Sequence, residues 1–366
     1  MSGFTMSHQY KKIAIKIGSN VLTKPDQTLN VDRISHLVNQ IAVLRKSGVE
    51  VILISSGAVA AGRGEVTPEK RMDPVSSRQL WSAVGQAKLI NHYFDLFKEH
   101  RITCAQVLTT KDNFKDRQHY LNMKNCVTTL LENGVVPIVN ENDAISVTEL
   151  MFTDNDELSG LIASMMDCEA LIILSNIDGI YNGDPSDPDS KVIPTIKHSI
   201  KDLSSFISTK KSNFGRGGML TKCNIARKVS EHGVSVFIAN GERSNILIDL
   251  LKDKDSVPNT HFVAHTGKPS HVKRWLAHSH SFAKGEVIVN DGAKQALLSE
   301  KASSLLFIGI TKVEGSFKKG DIISIKDQKG ILLGLGKSYY DSEKAIEKAG
   351  HKNSKPLVHY DYLYLY

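Results

Sequence analysis

Between Asn125 and Ser190 the chain contains neither lysine nor arginine, although its formal net charge is +7. Those 66 residues carry 13 Asp or Glu. Other absences narrow the field further. No apolar run approaches the ~18–20 residues that a membrane-spanning helix needs. The first ten residues lack the apolar core of a secretory signal, so the cytoplasm is the expected compartment. The four cysteines, Cys104, Cys126, Cys168 and Cys223, form no C-x-x-C pair and have no histidine at zinc-ligand spacing. This excludes a zinc ribbon and a disulfide framework, and each is expected to be a small buried hydrophobe in a reducing compartment. G-x-x-x-x-G-K-[ST] occurs nowhere, which excludes a Walker A loop. There is no internal repeat and no low-complexity tract.

At 366 residues the chain is too long for one compact core, and two domains are expected. Hydrophobic content of 41% and charged content of 23% belong to a soluble globular protein. Residues 271–366 hold 15 Lys or Arg against 10 Asp or Glu, an excess of 5 out of the total of 7. Such a region reads either as a face for nucleic acid or an acidic partner, or as ordinary solubilising charge.

The first 240 residues alternate short apolar runs with longer amphipathic stretches. Strands are expected at Ile13–Ile17, Val49–Ile54, Thr103–Leu108, Val135–Val139, Ala170–Leu174 and Val234–Ile238. Helices are expected at Val31–Ser47, Val75–His100, Asp116–Glu132, Leu158–Met166 and Met219–His232. This alternation predicts an α/β domain with an open, mostly parallel sheet sandwiched by helices. Beyond Lys252 the pattern breaks into shorter strands at Gly285–Val289, Leu305–Gly309, Asp321–Ile325 and Ile331–Leu333, punctuated by glycines. They predict a small C-terminal barrel-like β domain. The expected boundaries are 10–255 for the first domain, 256–270 for a linker and 271–356 for the second.

Open parallel sheets bind ligands beyond the carboxyl ends of their strands. Four strand ends here carry small or polar groups. They are Lys16-Ile17-Gly18-Ser19-Asn20, the run from Ser55 to Gly62, Asn140-Glu141-Asn142-Asp143, and Ser175-Asn176-Ile177-Asp178-Gly179. A lysine beside a glycine turn puts one charge on a phosphate while backbone N–H groups approach closely. The loop Arg216-Gly217-Gly218-Met219-Leu220-Thr221-Lys222 gives a second such signal, because it opens a helix whose N-terminus favours an anion. Two lysine-bearing glycine turns thus bracket a lysine-free acidic region. From residue 140 to residue 157 that region packs six acids and three asparagines into eighteen positions. Unpaired carboxylates repel one another unless a cation or donor offsets them. The acids read as a site for Mg²⁺, for a substrate ammonium group, or for both, and otherwise as a solvated loop. Phosphoryl transfer needs this division between cations on the transferring group and carboxylates for metal and ammonium.

Taken together, these segments resemble the amino acid kinase superfamily, and most closely its glutamate-phosphorylating branch. Ala83-Val84-Gly85-Gln86, Asp154-Asn155-Asp156 and Gly217 to Lys222 match alongside the strand ends above, in family order. The stretches Lys273 to Trp275, Gly285 to Val289, Asp291 to Ala293 and Gly315 to Asp321 resemble a PUA domain. The resemblance implies transfer of the γ-phosphoryl of ATP, with Mg²⁺, to the side-chain carboxylate of L-glutamate, the first step of proline biosynthesis. Carried over by position, Lys16 and Lys222 would stabilise the transferring phosphoryl, and Asp156 would orient both lysines. Ser56, Asp143, Asn155 and Asp154 would bind glutamate. ATP would meet Lys16, Ser175, Asn176 and the loop Arg216, Gly217, Gly218, Met219, Leu220, Thr221 and Lys222. No direct protein ligand for the metal is assigned. The family usually has Ser/Thr-Asp after the fifth strand, where this chain has Ser175-Asn176; either Asn176 meets the nucleotide or Asp178 compensates. The resemblance also implies proline as feedback inhibitor, a dimer or tetramer, and handover of the acyl phosphate to glutamyl-phosphate reductase. Two rival readings are a related kinase for another acid, such as N-acetylglutamate, aspartate or a nucleoside monophosphate, and an RNA-binding protein acting through the PUA-like domain. RNA binding would fall steeply with salt.

Overall fold

In a computed structural model of the chain, residues 9–114, 117–146, 155–197, 219–266, 273, 275–276, 282–299, 303–352 and 355–366 are described. The chain divides into two compact units, Met1–Lys268 and Pro269–Tyr366.

The first unit runs β1 (Lys12–Ile17), α1 (Ser19–Leu22), α2 (Val31–Lys46), β2 (Glu50–Ser55), α3 (Ala58–Arg63), α4 (Pro74–Glu99), β3 (Cys104–Thr109), α5 (Arg117–Glu132), β4 (Val136–Glu141), α6 (Asn155–Met165), β5 (Ala170–Ser175), β6 (Thr195–Ile196), α7 (Met219–Glu231), β7 (Ser235–Asn240), α8 (Ile246–Lys252) and β8 (Asn259–Phe262). The strands form one eight-stranded sheet in the order β3-β4-β2-β1-β5-β7-β8-β6. Every neighbouring pair is parallel except β7 and β8. Strands β4 and β5 are buried at all six positions, as a sheet covered on both faces requires.

The chain leaves β1 toward β2, β4 and β3 on one side, then returns to lay β5 on the other. This reversal of winding direction opens a crevice at the carboxyl ends of β1 and β5, where such sheets bind ligands. Alternation along β1 decides what reaches it. Ile13, Ile15 and Ile17 enter the main apolar core, with Leu37, Ile41, Tyr93 and Phe97 from the helices on that face. Lys16, one residue out of phase, is thereby turned to the opposite face.

Local signals explain the helix that frames the site. Asp73 caps α4 by accepting from the backbone N–H groups of Val75 and Ser76 at 2.9 and 3.0 Å, and Pro74 occupies the first turn.

The second unit contains β9 (Gly285–Val289), α9 (Asp291–Leu298), β10 (Ile310–Gly315), β11 (Ile322–Asp327), β12 (Leu332–Lys337), α10 (Ser342–Lys348) and β13 (Leu363–Leu365). Its five-stranded sheet has the order β10-β9-β11-β12-β13, with only β9 and β11 parallel. Val287, Val289, Phe307, Ile323, Ile325 and Leu357 fill its core.

Several expectations need correction. The helix predicted from Leu158 begins at Asn155, so Asn155 and Asp156 lie in its first turn, where negative charge is favoured. Strand β4 continues to Glu141, so half of the Asn140–Asp143 cluster is strand and not loop. The linker predicted over 256–270 contains β8, whose backbone pairs with β7 through Val236–Ala239. The apolar run Leu305–Gly309 is not a strand. Leu305 makes an isolated bridge to Val358, and Phe307–Gly309 forms a single 3-10 turn. That turn buries Phe307 and leaves Ile308 exposed. Cys104, Cys168 and Cys223 are buried, and burial pushes each thiol up to about 12. Cys126 is exposed, contrary to expectation. All four are free thiols.

Candidate active site

A cleft of about 1890 Å³ opens at the carboxyl ends of the first unit's central strands. Beneath its floor Asp156 is fully buried and lies between two lysines. Its Oδ1 is 2.5 Å from Lys16 Nζ, and its Oδ2 is 2.6 Å from Lys222 Nζ. The three residues come from α6, β1 and α7 respectively. Burial alone would raise the Asp156 carboxyl, but Lys16 and then Lys222 outweigh it and hold the group below the ordinary carboxylate range. Two lysine side chains from different elements thus converge on one buried carboxylate. Both lysines also line the cleft, where an anionic group would meet them.

The distance between the two lysines depends on how closely α6 and α7 pack. Gly160 sits at that contact: a Cβ there would meet Val229 Cγ2 at 2.9 Å and Ile225 Cγ2 at 3.0 Å. Glycine lets α7 approach α6, and with it Lys222 approach Asp156.

On the β4 side an amide chain crosses the cleft. Asn155 Nδ2 donates to Ser56 Oγ at 2.9 Å and to Asn140 Oδ1 at 3.0 Å. Asn140 Nδ2 in turn donates to Gln86 Oε1 at 3.0 Å. The Ser56 backbone N–H donates to the Ile17 carbonyl at 3.2 Å, which ties the turn after β2 to β1. Gly57 follows with φ of 105°, a left-handed conformation that lets the chain enter α3 directly. Asp143, nearly buried, faces a cation supplied by α4: Arg78 Nη2 lies 2.5 Å from its Oδ1 and 3.9 Å from Glu141 Oε2. Gln79 Nε2 donates to the Ala144 carbonyl at 2.9 Å and holds α4 against the same segment.

On the β5 side, Ser175 and Asn176 line the same cleft as Lys16 and Lys222. Asn176 is exposed and accepts from Ser175 Oγ at 3.4 Å. Asp178 does not replace the missing acid. Arg243 holds it with Nε and Nη2 at 2.7 Å each, and those bonds lower its carboxyl pKa. Met219 and Lys222 line the cleft at helical spacing i, i+3. Leu220 is exposed, so its side chain lies off that face. Thr221 is half-buried, one position before the lysine. Both can still offer first-turn backbone N–H groups.

The structure therefore brings Lys16, Ser56, Asp143, Asn155, Ser175, Asn176, Met219 and Lys222 to one cleft, with Asp156 beneath it. Asp154, Arg216, Gly217 and Gly218 lie outside the described residues. The residue spacing does not single out Arg78, and Gln86 enters only within the matching segment Ala83 to Gln86. A signal existed, because Arg78, Ser82, Gly85 and Gln86 fall at i, i+4, i+7 and i+8, one polar and small face of a long helix.

Residues 11–240 match the amino acid kinase family, and residues 285–360 match the PUA domain. The chain is 62% identical over 360 residues to the glutamate 5-kinase of Bacteroides thetaiotaomicron, a comparison covering 98% of this chain and 100% of that one. Against the glutamate 5-kinase of Chlorobaculum tepidum it is 51% identical over 364 residues, covering 98% and 99% of the two chains. The carbamate kinase of Giardia lamblia, solved bound to AMP-PNP, superposes with a TM-score of 0.51 at 16% identity, over 70% of this chain and 99% of that one. That likeness speaks for the fold alone. With the family matched from β1 through β7 and a full-length relative at 62% identity, the chain belongs to the amino acid kinase family and carries a PUA domain after it.

Proposed function

We propose that the first unit transfers the γ-phosphoryl of ATP to the side-chain carboxylate of L-glutamate, forming L-glutamyl 5-phosphate, the entry reaction of proline biosynthesis. The observation that carries this reading is the Lys16–Asp156–Lys222 cluster, which sets two lysines from different elements on one buried carboxylate at the switch point of the sheet. Full-length similarity to proteins named glutamate 5-kinase supports the choice of acceptor.

The chemistry follows from the charges. A glutamate side chain has an unperturbed pKa near 4.3, so at neutral pH it is already an anion and needs no general base. The barrier is the approach of one anion to another. Lys16 and Lys222 offset the charge on the transferring group, and positioning supplies most of the rest. Strand order sets the layout. Asp143 follows β4, Ser56 follows β2, Lys16 ends β1 and Ser175 ends β5, in that order across the sheet. Neighbouring strands are about 4.8 Å apart, so β4 to β1 spans roughly 10 Å. An amino acid lying over β2 then has its ammonium toward Asp143 and its reacting carboxylate toward Lys16, with the nucleotide beyond at β5.

Magnesium enters as part of the substrate, MgATP. Asp156 is engaged by two lysines and Asp143 by Arg78, and among the described residues no set of three His, Cys, Asp or Glu converges on a point. Mg²⁺ characteristically keeps waters and binds through substrate phosphates with few protein ligands, which suits this donor set.

An ATP-consumption assay with L-glutamate, N-acetyl-L-glutamate and L-aspartate tests the reading. Turnover is expected with L-glutamate, and turnover of the acetylated compound alone would overturn the assignment. Asp143→Asn should raise KM for L-glutamate about 10- to 100-fold, the value of a hydrogen bond to a charged group, with a smaller change in kcat. An unchanged KM would remove Asp143 from the ammonium site.

A further inference from the structure

Arg78 is one of several cations lining this cleft that the phosphoryl chemistry leaves without a task, and among the described residues it is the one paired with the candidate substrate-binding carboxylate Asp143. It lines the cleft, with about 25% of its side chain exposed. One nitrogen, Nη2, meets Asp143 at 2.5 Å, and Glu141 is too distant at 3.9 Å for a hydrogen bond. Its Nε–H is buried and meets no acceptor among the described residues. A buried donor without an acceptor costs about 1–3 kcal/mol, so it needs an explanation. Anchoring α4 does not supply one. Gln79 on the Ala144 carbonyl and Gln86 on Asn140 already hold that helix to β4 and the segment after it.

The arrangement is that of a zwitterion receptor closed on itself. A guanidinium with a free Nε–H beside an occupied Nη offers the side-on fork that a carboxylate takes with two parallel hydrogen bonds. The carboxylate now paired with it, Asp143, is the one assigned to the substrate ammonium. An α-amino acid carries both complementary charges on one carbon. It can therefore replace each partner with its own group, the ammonium taking Asp143 and the α-carboxylate taking Arg78. Neither buried charge is left without a counter-ion at any stage, which keeps the exchange inexpensive compared with breaking a buried pair outright.

Resting on the glutamate-kinase reading above, we propose that Arg78 binds the α-carboxylate of the amino acid substrate, and that its ion pair with Asp143 opens when the substrate enters. Arg78 then sets specificity for an acceptor bearing a free α-carboxylate, through binding and not through the phosphoryl step.

Steady-state kinetics of the full chain test this with L-glutamate and with its α-amide, L-isoglutamine, which keeps the reacting side-chain carboxylate and the ammonium but loses the α-charge. In Arg78→Gln, KM for L-glutamate should rise about 10- to 200-fold with kcat within about threefold, the range for loss of charge-assisted bonds. The preference for L-glutamate over L-isoglutamine in kcat/KM should shrink by a similar factor. A merely structural ion pair would not move that preference. Arg78→Lys keeps the charge and loses the fork; it should show the same change in smaller measure, and it serves if the glutamine variant does not fold. A KM for L-glutamate within about threefold of the unmodified chain, or an unchanged preference for it over the amide, would overturn the proposal. If the unmodified chain does not turn over L-glutamate at all, the functional reading fails instead, and the two failures are thus distinguishable.

Discussion

Asp156→Asn should lower kcat by roughly 10²–10³-fold while KM for the acceptor stays within about threefold, because the loss falls on groups that act in the transition state. The asparagine keeps the shape of the side chain and removes the one charge that Lys16 and Lys222 share at 2.5 and 2.6 Å. Two ammonium groups drawn together by a common carboxylate repel once it is neutral. Either one gives up its proton or one swings away, and in both cases the transferring phosphoryl meets a single cation. Lys222→Ala removes one cation directly and should also lower kcat far more than it raises KM for the acceptor. Taken together, Asp156→Asn and Lys222→Ala should cost less than the product of their separate effects, since both break the same unit. Additive losses in that double variant would show that Asp156 does not act through Lys222.

The same substitution reads out in stability. Removing one partner of a buried ion cluster leaves uncompensated charge and costs about 3–5 kcal/mol. The pH dependence has a definite sign. The Asp156 carboxyl is held below its unfolded-state value of about 3.9, so its contribution is complete above that value and is lost as the pH falls through the lower, folded-state value. Denaturant melts should therefore show a constant gap between the unmodified chain and Asp156→Asn from neutral pH down to about pH 4, closing only below it. A gap that closes near pH 6 would point to another group.

Much of this site is legible in the residue order, for a physical reason. A lysine out of phase with Ile13, Ile15 and Ile17 must face away from their core, and a glycine turn next to it must leave room. Strand alternation and winding order then bring β1, β2, β4 and β5 to one crevice without knowledge of any contact. What the residue pattern could not show depends on packing between distant elements. The Leu158 start for α6 followed apolar spacing, yet Asn155 and Asp156 are drawn into the helix because its first turn accepts acids and both lysines converge there. Strand β8 falls inside the span expected as linker, and its residues Asn259-Thr260-His261-Phe262 contain no apolar run. Its place is secured by backbone pairing to β7 and by the stacking of His261 on Phe237, with centroids 4.4 Å apart. By pattern alone, one arginine in a 26-residue helix is indistinguishable from surface charge, and Arg78 is such a residue. Only the face it shares with Ser82, Gly85 and Gln86 sets it apart.

That face also carries a large expected effect on stability. Gly85→Ala should destabilise the first unit by about 3 kcal/mol or more, in the range of severe overpacking. A Cβ on Gly85 would lie 1.8 Å from the Ala58 carbonyl oxygen and 2.3 Å from the Gly62 backbone nitrogen. Across the same contact, a Cβ on Gly62 would lie 1.9 Å from the Trp81 carbonyl oxygen. Every atom met is backbone, so no side chain can turn aside, and helices α3 and α4 must separate. Separation moves Gln86, and with it the amide chain through Asn140 and Asn155 to Ser56. Thermal melts should show a loss of roughly 6–12 °C for a domain of this size. Gly134→Ala is the control. Its φ of 73° strains an alanine, but nothing lies within 4 Å of the added Cβ. The strain alone costs about 1 kcal/mol, so the control should fall by no more than about 4 °C. A melting temperature for Gly85→Ala equal to that of the control would mean that α3 and α4 approach less closely than these distances require. Any surviving Gly85→Ala enzyme should then keep its acceptor KM, because the residues α4 delivers to the cleft would not have moved.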